Sequence, residues 1–273
     1  MLEKFRYINH LNEFFDFGKN NVFVNGNDLR DFAWEIESRN NRILRFKRGI
    51  VDKTIPIVIK CETAEEGLEI RNKIFELCEK DVLATKHGKI IIGDYFMKCY
   101  VTESRKSEYL KHGSYMLLNI KVSTDFPFWC KEHSTTFGYG KGSEGKNLDF
   151  KRDFPSDYTS NMLGKQLVNT ALCDTNFIIN VYGPCIEPEI IVGGHSYCVN
   201  ILIEKNEYLT IDSQTKTIVL THEDGTKENC FKYRNRDSYI FTKMRPGTLR
   251  VSSNGNYKFE IILLEERSEP PWT

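Results

Sequence analysis

FIINVYGPCIEPEIIVGGHSYCVNILIEKNEYLTIDSQTKTIVL, which spans residues 177–220, is a succession of short apolar runs that end at turn signals. The first run, 177–182, stops at Gly183-Pro184, a dipeptide that marks a turn. Residues 208–212 alternate with period 2, and a short polar segment leads into a second apolar run at 217–220. Two such runs joined by a short turn predict a β-hairpin.

The rest of the last third of the chain repeats this pattern. Turn dipeptides such as Asn254-Gly255 separate the apolar runs, and no helical periodicity comes between them. Closely spaced strands of this kind predict an antiparallel β-sandwich. Further strands are predicted at 189–192, 197–203, 239–241, 248–252 and 257–264.

The first part of the chain also predicts strands. Residues 32–37 alternate, which places the aromatic residues Phe32 and Trp34 on one face. Pro56 has no backbone N–H, so we expect the strand at 54–60 to begin there or to lie at a sheet edge. Further strands are predicted at 22–24, 42–46, 89–92, 95–102 and 115–123.

The period changes after residue 62. Thr63 followed three residues later by Glu66 is a capping box, in which each residue satisfies a backbone N–H of the first helical turn. Leu68, Arg71 and Cys78 then recur at helical spacing. These signals predict one amphipathic helix of about 17 residues, packed against the sheet.

Length and composition predict two domains. At 273 residues the chain exceeds the usual size of a single domain. Residues 1–130 predict a β-sandwich with one flanking helix, and residues 165–273 predict a second β-sandwich. Residues 131–164 are polar and glycine-rich, which indicates a linker or an excursion between the domains. The predicted fold class is therefore mainly β.

Five segments of the last third occur in one order: VYGP at 181–184, EPEI at 187–190, EYLTIDS at 207–213, SSNGN at 252–256 and EERSEPPW at 265–272. In this order they resemble the distal tail protein family of long-tailed, siphovirus-type bacteriophages. The resemblance implies a virion structural protein of the tail tip, or baseplate hub, with a galectin-like or carbohydrate-module-like second domain.

The resemblance also implies partners and a location. The first domains are expected to close into a hexameric ring between the major tail tube protein and a tail-tip or tail-associated lysin protein, with receptor-binding or baseplate proteins nearby. The protein would be made in the host bacterial cytoplasm, from a phage, a prophage or a tail-derived bacteriocin, and DNA could pass through the ring. Trp34, Trp129 and the strand ends within 32–46 are candidates either for ring contacts or for the core.

Composition argues against several other classes of protein. Lys plus Arg and Asp plus Glu number 38 each, so no net charge attracts nucleic acid or an anionic membrane. No apolar run approaches the roughly 20 residues of a membrane-spanning helix. The eight cysteines are scattered, mostly within apolar runs, and no signal segment precedes them, which predicts buried free thiols.

Three patterns that could carry chemistry are incomplete. GKGSEGKN at 140–147 nearly matches a phosphate-binding loop, but Asn147 stands where a hydroxyl would hold magnesium. Cys185, His195 and Cys198 have loosely zinc-like spacing without a fourth ligand. A nucleophile elbow is also missing. We therefore predict no catalytic, cofactor-binding or metal-binding residue, no cofactor, and a protein that is not an enzyme.

Two other functions stay open from the sequence. A hydrolase would need only two carboxylates about 5–10 Å apart, which 38 acidic residues could supply. A carbohydrate-binding module contacting host cell-wall or surface glycans would need exposed aromatic side chains on the second sandwich. The tyrosines in or beside its strands, which could equally pack in the core, are Tyr182, Tyr197, Tyr208, Tyr233, Tyr239 and Tyr257.

Overall fold

The computed structural model describes residues 4–19, 21–111, 115–138 and 166–272. These residues form large antiparallel sheets with one α-helix, and the predicted mainly β fold class is confirmed. The chain divides into two compact units, one comprising Met1–Cys130 with Arg267–Thr273 and the other Lys131–Glu266. The predicted domain limits and the galectin-like character of the second domain stay predictions.

The first unit is a sandwich whose two layers share one long strand. Strand β8 has 17 residues; up to Cys99 it pairs with β7, and from Tyr100 onward it pairs with β9. The layers follow the orders β2-β1-β7-β8 and β8-β9-β6-β3. The elements are β1 (Phe5–Ile8), β2 (Phe14–Phe17), β3 (Val22–Val24), β4 (Glu35–Arg39), β5 (Arg42–Lys47), β6 (Val51–Lys60), α1 (Ala64–Ala84), β7 (Gly88–Ile92), β8 (Tyr95–Lys111), β9 (Tyr115–Thr124) and the start of β10 (Trp129–Phe137).

Alternating strands build the hydrophobic core of this unit. In β9 every second residue is buried, from Met116 to Val122, because successive side chains of a strand point to opposite faces. Trp129 is fully buried in the same core, and its indole Nε1 donates a hydrogen bond to the Leu29 carbonyl at 3.2 Å. The indole N–H therefore has the partner that burial requires.

Strand β6 runs through Pro56 instead of beginning there. The Pro56 carbonyl accepts a hydrogen bond from the Asn25 N–H at 3.1 Å, one residue beyond the end of β3. The backbone nitrogen and oxygen of a strand residue point to the same side, so the missing N–H faces the side on which β3 has just ended. The prediction that the strand begins at Pro56 is wrong. The alternative prediction, that Pro56 lies at a sheet edge, holds locally, on the side where β3 has ended.

Helix α1 begins where the capping box predicts and ends later than predicted. The Thr63 hydroxyl accepts a hydrogen bond from the Glu66 N–H at 3.2 Å. The helix continues for 21 residues to Ala84, where Thr85 takes a left-handed conformation with φ 52°. A left-handed residue of this kind commonly closes a helix.

Asp81, in the last turn of α1, lies in a buried polar cluster. The Tyr7 hydroxyl donates to Asp81 Oδ2 at 2.6 Å, and the His10 backbone N–H donates to Asp81 Oδ1 at 2.8 Å. Burial raises the pKa of Tyr7, so this hydroxyl stays a donor. A Cβ atom at Gly88 would overlap both the Tyr7 hydroxyl and the Asp81 carboxylate, so the close approach requires glycine. The cluster ties the end of α1 to β1 and β7.

The second unit is also a sandwich. A sheet in the order β19-β18-β17-β12-β21-β10 faces a sheet in the order β11-β20-β14-β15, and both contribute to one buried apolar cluster. Strands β13 and β16 form a separate pair. The strands after β10 are β11 (Gln166–Asn169), β12 (Asn176–Tyr182), β13 (Cys185–Ile186), β14 (Glu189–Val192), β15 (His195–Cys198), β16 (Leu202–Ile203), β17 (Tyr208–Asp212), β18 (Thr217–Thr221), β19 (Lys227–Asn229), β20 (Gly247–Ser253) and β21 (Phe259–Arg267).

One predicted strand of this unit is only partly correct, and another is wrong. The run 197–203 is interrupted: after β15 ends at Cys198, Val199 forms an isolated bridge with Arg234, and the next strand is β16, which pairs with β13. The run 239–241 is a turn, in which the Thr242 N–H donates to the Tyr239 carbonyl. Its apolar character arises because Ile240 and Phe241 are buried in the core. A buried loop segment and a buried strand can share a composition.

Part of the predicted linker is structured. Residues 131–137 lie in β10. The near-match to a phosphate-binding loop at 140–147 and the rest of the predicted linker lie outside the described residues.

Candidate assembly surface

The hairpin formed by β4 and β5 has the most exposed strands of the first unit. Asn40 and Asn41 connect the strands with φ values of 51° and 58°, the left-handed pair that a tight two-residue hairpin turn requires. Every residue of β5 is exposed, and in β4 only Glu37 is partly covered. Among the described residues, neither strand pairs with any strand except the other.

One face of the hairpin is charged, and Glu37 on this face is paired within the hairpin. Glu35 lies opposite Lys47 and Glu37 opposite Arg45, so these four side chains share a face. The Glu37 carboxylate accepts hydrogen bonds from Arg45 Nε and Lys47 Nζ, each at 2.5 Å. These hydrogen bonds hold the pKa of Glu37 below its ordinary value. This face can therefore remain in water without a partner.

The opposite face is apolar and uncovered. Ile36 lies opposite Phe46, and the Trp34 ring contacts the Phe46 ring edge-on at 6.4 Å between centroids. The exposed fractions are 42% for Trp34, 58% for Ile36 and 57% for Phe46. A two-stranded hairpin alone is marginally stable, and a contiguous exposed apolar strip commonly marks a binding surface. Other exposed apolar residues in or beside the hairpin are Phe32, Ile43, Leu44 and Ile50.

The base of the hairpin is anchored by a cation among aromatic rings. The Arg48 guanidinium lies 4.9 Å from the centroid of Phe128, 5.3 Å from that of Trp34 and 5.9 Å from that of Phe32. Its Nε and Nη1 atoms are buried without a hydrogen-bond partner in the described structure, and this desolvation lowers the pKa of Arg48. Contact with the ring faces compensates part of the cost.

Trp34 and Trp129 were both candidates for ring contacts or for the core, and they differ in burial. Trp129 belongs to the core and has no exposed surface, so it is not available for a contact between subunits. Trp34 and the strand ends within 32–46 are exposed. The sequence signal for the hairpin was its alternation, but nothing local indicated that its apolar face would stay uncovered.

The tyrosines considered for sugar binding differ in burial. Tyr197 and Tyr257 are buried in the core of the second unit, and Tyr239 is 59% exposed. Tyr239 meets Phe241 edge-on, and Phe231, 39% exposed, stacks on Phe241 with an interplanar angle of 14°. The remaining three, which are partly buried, are Tyr182, Tyr208 and Tyr233.

Candidate ligands and nucleophiles are dispersed. The described residues contain no group of three His, Cys, Asp or Glu side chains that could hold a metal ion. Cys185 lies in β13, whereas His195 and Cys198 lie in β15, where His195 Nε2 is 3.0 Å from the Tyr239 carbonyl. All eight cysteines are free, as predicted, but only five are buried, because Cys185 and Cys198 are partly exposed and Cys173 is exposed. None of the helices in the described part is both long and apolar enough to cross a membrane.

No protein-family model and no curated protein matches the sequence, but solved structures do. A chain of the phage P2 baseplate in its activated conformation with calcium aligns with a TM-score of 0.62 and 13% identity, covering 99% of this chain and 100% of that one. The same baseplate with strontium gives a TM-score of 0.61 and 13% identity, covering 98% and 99%.

The Dit protein of phage SPP1, described as a paradigm of the hub adsorption apparatus in phages that infect Gram-positive hosts, aligns with a TM-score of 0.59. Its identity is 11%, and the match covers 96% of this chain and 99% of that one. At such identities the likeness concerns the fold. The chain has the fold of phage baseplate and hub proteins, as its resemblance to distal tail proteins predicted.

Proposed function

We propose that this protein is a structural component of a phage tail tip, in which the first unit closes into a hexameric ring that joins the tail tube to the host-adsorption apparatus. The observation that carries the proposal is the β4–β5 hairpin, whose apolar face is uncovered whereas its opposite face is charged and holds the paired Glu37. The shared fold with baseplate and hub proteins supports the same assignment.

The hairpin favours a contact between copies that repeats around a ring. A strip on one side of a subunit that meets a different surface of its neighbour makes a heterologous contact, and such contacts form a ring when the rotation between neighbours closes. Burying an Ile or Phe side chain stabilises a contact by about 1.5–3 kcal/mol. Ile36, Phe46 and Trp34 together can therefore support an interface that is repeated at every junction.

In this proposal the ring has two further partners. One face meets the major tail tube protein, and the other meets a tail-tip or tail-associated lysin protein, with receptor-binding or baseplate proteins attached at the same end. DNA passes through the opening, and the protein resides at the tail tip of the virion. The role is mechanical, so no catalytic residue is assigned.

The test is the mass of the full chain in solution by light scattering, together with negative-stain images. We expect a hexameric ring with a central opening. Replacing Ile36 and Phe46 by Ser should reduce the mass to the 31.9 kDa of one chain. A matched control is Leu172→Ser in the second unit, because Leu172 is 92% exposed but lies outside the hairpin. A ring that survives the double substitution would contradict the proposal.

A second candidate function, glycan binding by the second unit, rests on the exposed Tyr239 beside the stacked pair Phe231 and Phe241. Exposed aromatic faces of this kind can stack on sugar rings. A glycan array probed with the intact chain should then show binding that Tyr239→Ala abolishes. The control is Tyr257→Phe, which alters a buried tyrosine. Absence of any bound glycan would eliminate this candidate.

A further inference from the structure

One segment of the second unit concentrates positive charge. Residues 231–245, FKYRNRDSYIFTKMR, connect β19 to β20 and contain five basic residues and one acidic one, a net charge of +4. The whole chain, in contrast, has equal numbers of basic and acidic residues. We call residues 231–245 the basic segment. Its five cations, none of which forms an ion pair with the described residues, are Lys232, Arg234, Arg236, Lys243 and Arg245.

The basic segment is fixed along one edge of β15. Strand β14 pairs with the other edge of β15. The Asn235 N–H donates to the Cys198 carbonyl at 3.1 Å, and Ser238 Oγ donates to the Ser196 carbonyl at 2.8 Å. These contacts lie at two points along the strand, so the basic segment follows β15 and presents a defined surface.

Tyr239 is held on this surface by its backbone. Its carbonyl accepts hydrogen bonds from the Thr242 N–H at 3.0 Å and from the Thr242 hydroxyl at 2.8 Å, and His195 Nε2 lies 3.0 Å from the same oxygen. The Tyr239 side chain is 59% exposed, and its hydroxyl makes no hydrogen bond with the described residues. An aromatic ring on a fixed backbone loses little conformational freedom when it binds a ligand.

Arg234 is positioned at one end of an aromatic row that includes Tyr239. Its guanidinium lies 4.0 Å from the centroid of the Phe231 ring, and its Nη1 donates to the Phe231 carbonyl at 2.9 Å. Phe231 stacks on Phe241, which Tyr239 meets edge-on. A guanidinium has five N–H donors, so further donors of Arg234 remain for an anion.

Arg245 is positioned at a second point near Tyr239. Its Nη2 donates to the Gly193 carbonyl at 3.2 Å. Gly193 lies two residues before His195, whose ring contacts the Tyr239 carbonyl. Arg245 is exposed. Tyr239 therefore has two arginines in its surroundings, each held by a backbone carbonyl and each with donors to spare.

We infer that the basic segment binds an anionic glycan, a polymer of sugar rings that carry phosphate or carboxylate groups. Tyr239 stacks on a sugar ring, and Arg234 and Arg245 pair with the anionic groups, whose geometry a guanidinium matches. Single-stranded nucleic acid fits less well, because it stacks successive bases on several rings, whereas Phe241 is buried and Arg234 lies against Phe231. The inference rests on the proposed glycan binding and adds the charge of the ligand.

The test compares anionic glycans with neutral counterparts. Surface plasmon resonance measures binding of the intact chain to immobilised polygalacturonate and its methyl ester, and to phosphomannan and mannan. Inorganic polyphosphate and a single-stranded oligonucleotide serve as competitors. We expect the two anionic polymers to bind about tenfold more tightly than the neutral ones. The difference should shrink as the ionic strength rises from about 0.05 to about 0.5 M, because salt screens exposed charges.

Charge removal within the basic segment gives a matched comparison. Arg234→Gln with Arg245→Gln should weaken binding of the anionic polymers about tenfold. Arg234→Lys with Arg245→Lys keeps both charges and should retain most of the binding, which separates loss of charge from damage to packing. The control, Lys205→Gln with Lys216→Gln, removes the same charge from exposed positions elsewhere in the second unit and should change the affinity by less than about twofold. Melting temperatures verify that each variant is folded.

The outcomes separate this inference from the two proposed functions. Equal binding of neutral and anionic polymers, or unchanged binding by Arg234→Gln with Arg245→Gln, overturns the inference while glycan binding stands. Anionic binding that Tyr239→Ala leaves unchanged, or tighter binding of polyphosphate or the oligonucleotide, also overturns it, because the ligand would then be a bare anion or a nucleic acid. If no glycan binds in either form, glycan binding and the inference fail together, whereas the ring is tested separately by the mass of the chain.

Discussion

The hairpins β4–β5 and β17–β18 have similar sequence patterns and opposite surroundings. Both consist of two alternating strands joined by a short turn. In β17–β18 the apolar side chains Leu209, Ile211 and Ile218 are no more than 2% exposed, because the opposite sheet of the second unit covers them. In β4–β5 the equivalent apolar face is about half exposed, as Ile36 and Phe46 illustrate.

The difference shows what alternation specifies. Period-2 alternation determines which side chains share a face of a strand. It does not determine whether that face is covered by the same chain, by another chain or by water. The apolar face of β17–β18 packs against other segments of the same chain. We propose that the apolar face of β4–β5 packs against a neighbouring copy.

The largest expected effect is on the free energy of unfolding, which should fall when the apolar face of β17–β18 is truncated and hardly change when that of β4–β5 is truncated. Leu209→Ala should lower the free energy of unfolding by about 2–5 kcal/mol, because it leaves a cavity in a closed core. Phe46→Ala should change the stability of the monomer by only about 0.5 kcal/mol, because its side chain is exposed. Denaturant unfolding at a concentration that keeps the chain monomeric measures both. Equal losses would show that the hairpin face is covered within the monomer.

A smaller effect is expected on the local stability of the β4–β5 hairpin when Arg48, which anchors its base, is replaced. Arg48→Met keeps the length of the side chain but removes the cation from the rings of Trp34 and Phe128, contacts worth about 0.5–1 kcal/mol each at exposed sites. Backbone amides of β4 and β5 should then exchange with deuterium faster, and those of β17 and β18 should not change. The matched control is Arg42→Met, which removes an exposed arginine of the same hairpin that makes no ion pair with the described residues. Unchanged exchange in the hairpin would mean that Arg48 does not anchor it.

The smallest expected effect is a dependence of stability on pH that arises at the β17–β18 hairpin. His222 follows β18, and its Nδ1 atom lies 2.6 Å from a carboxylate oxygen of Glu207, which precedes β17. This hydrogen bond raises the pKa of His222 above its ordinary 6.5 and lowers that of Glu207 below 4.5. The pair is therefore fully stabilising between about pH 4.5 and 6.5.

The contribution of His222 is lost as the pH rises through its raised folded-state pKa, and that of Glu207 is lost as the pH falls through its lowered one. The melting temperature of the unmodified chain should exceed that of His222→Gln most clearly near pH 6, and the difference should shrink by about pH 9. A difference that grows with pH would contradict the assignment. No comparable dependence is expected from β4–β5, which contains no histidine.

Local signals predicted much of the fold. The capping box at Thr63 and Glu66 located the start of α1, because a cap depends only on residues within one turn. The end of α1 was predicted too early, because the last turn is held by Asp81 through contacts with Tyr7 and His10. Those partners are about seventy residues away along the chain, beyond the reach of any local pattern.

In the β4–β5 hairpin, too, local signals predicted strands but could not predict burial. Residues 42–46 were correctly expected to form a strand, and of the alternating run 32–37 only the last part lies in β4. Whether Trp34 or Trp129 lies in the core could not be decided, because both are aromatic residues near strands. The structure places Trp129 between two sheet layers and leaves Trp34 beside an isolated hairpin.

The sequence by itself determined the mainly β class, most strands, the single described helix and the β17–β18 hairpin, because these depend on side-chain period, caps and turns within a few residues. Only the tertiary structure decided that β8 belongs to two layers, that residues 239–241 are a turn, and that the hairpin lies uncovered. Coverage depends on segments far apart in the chain, so burial is a property of the assembled fold and not of any local stretch.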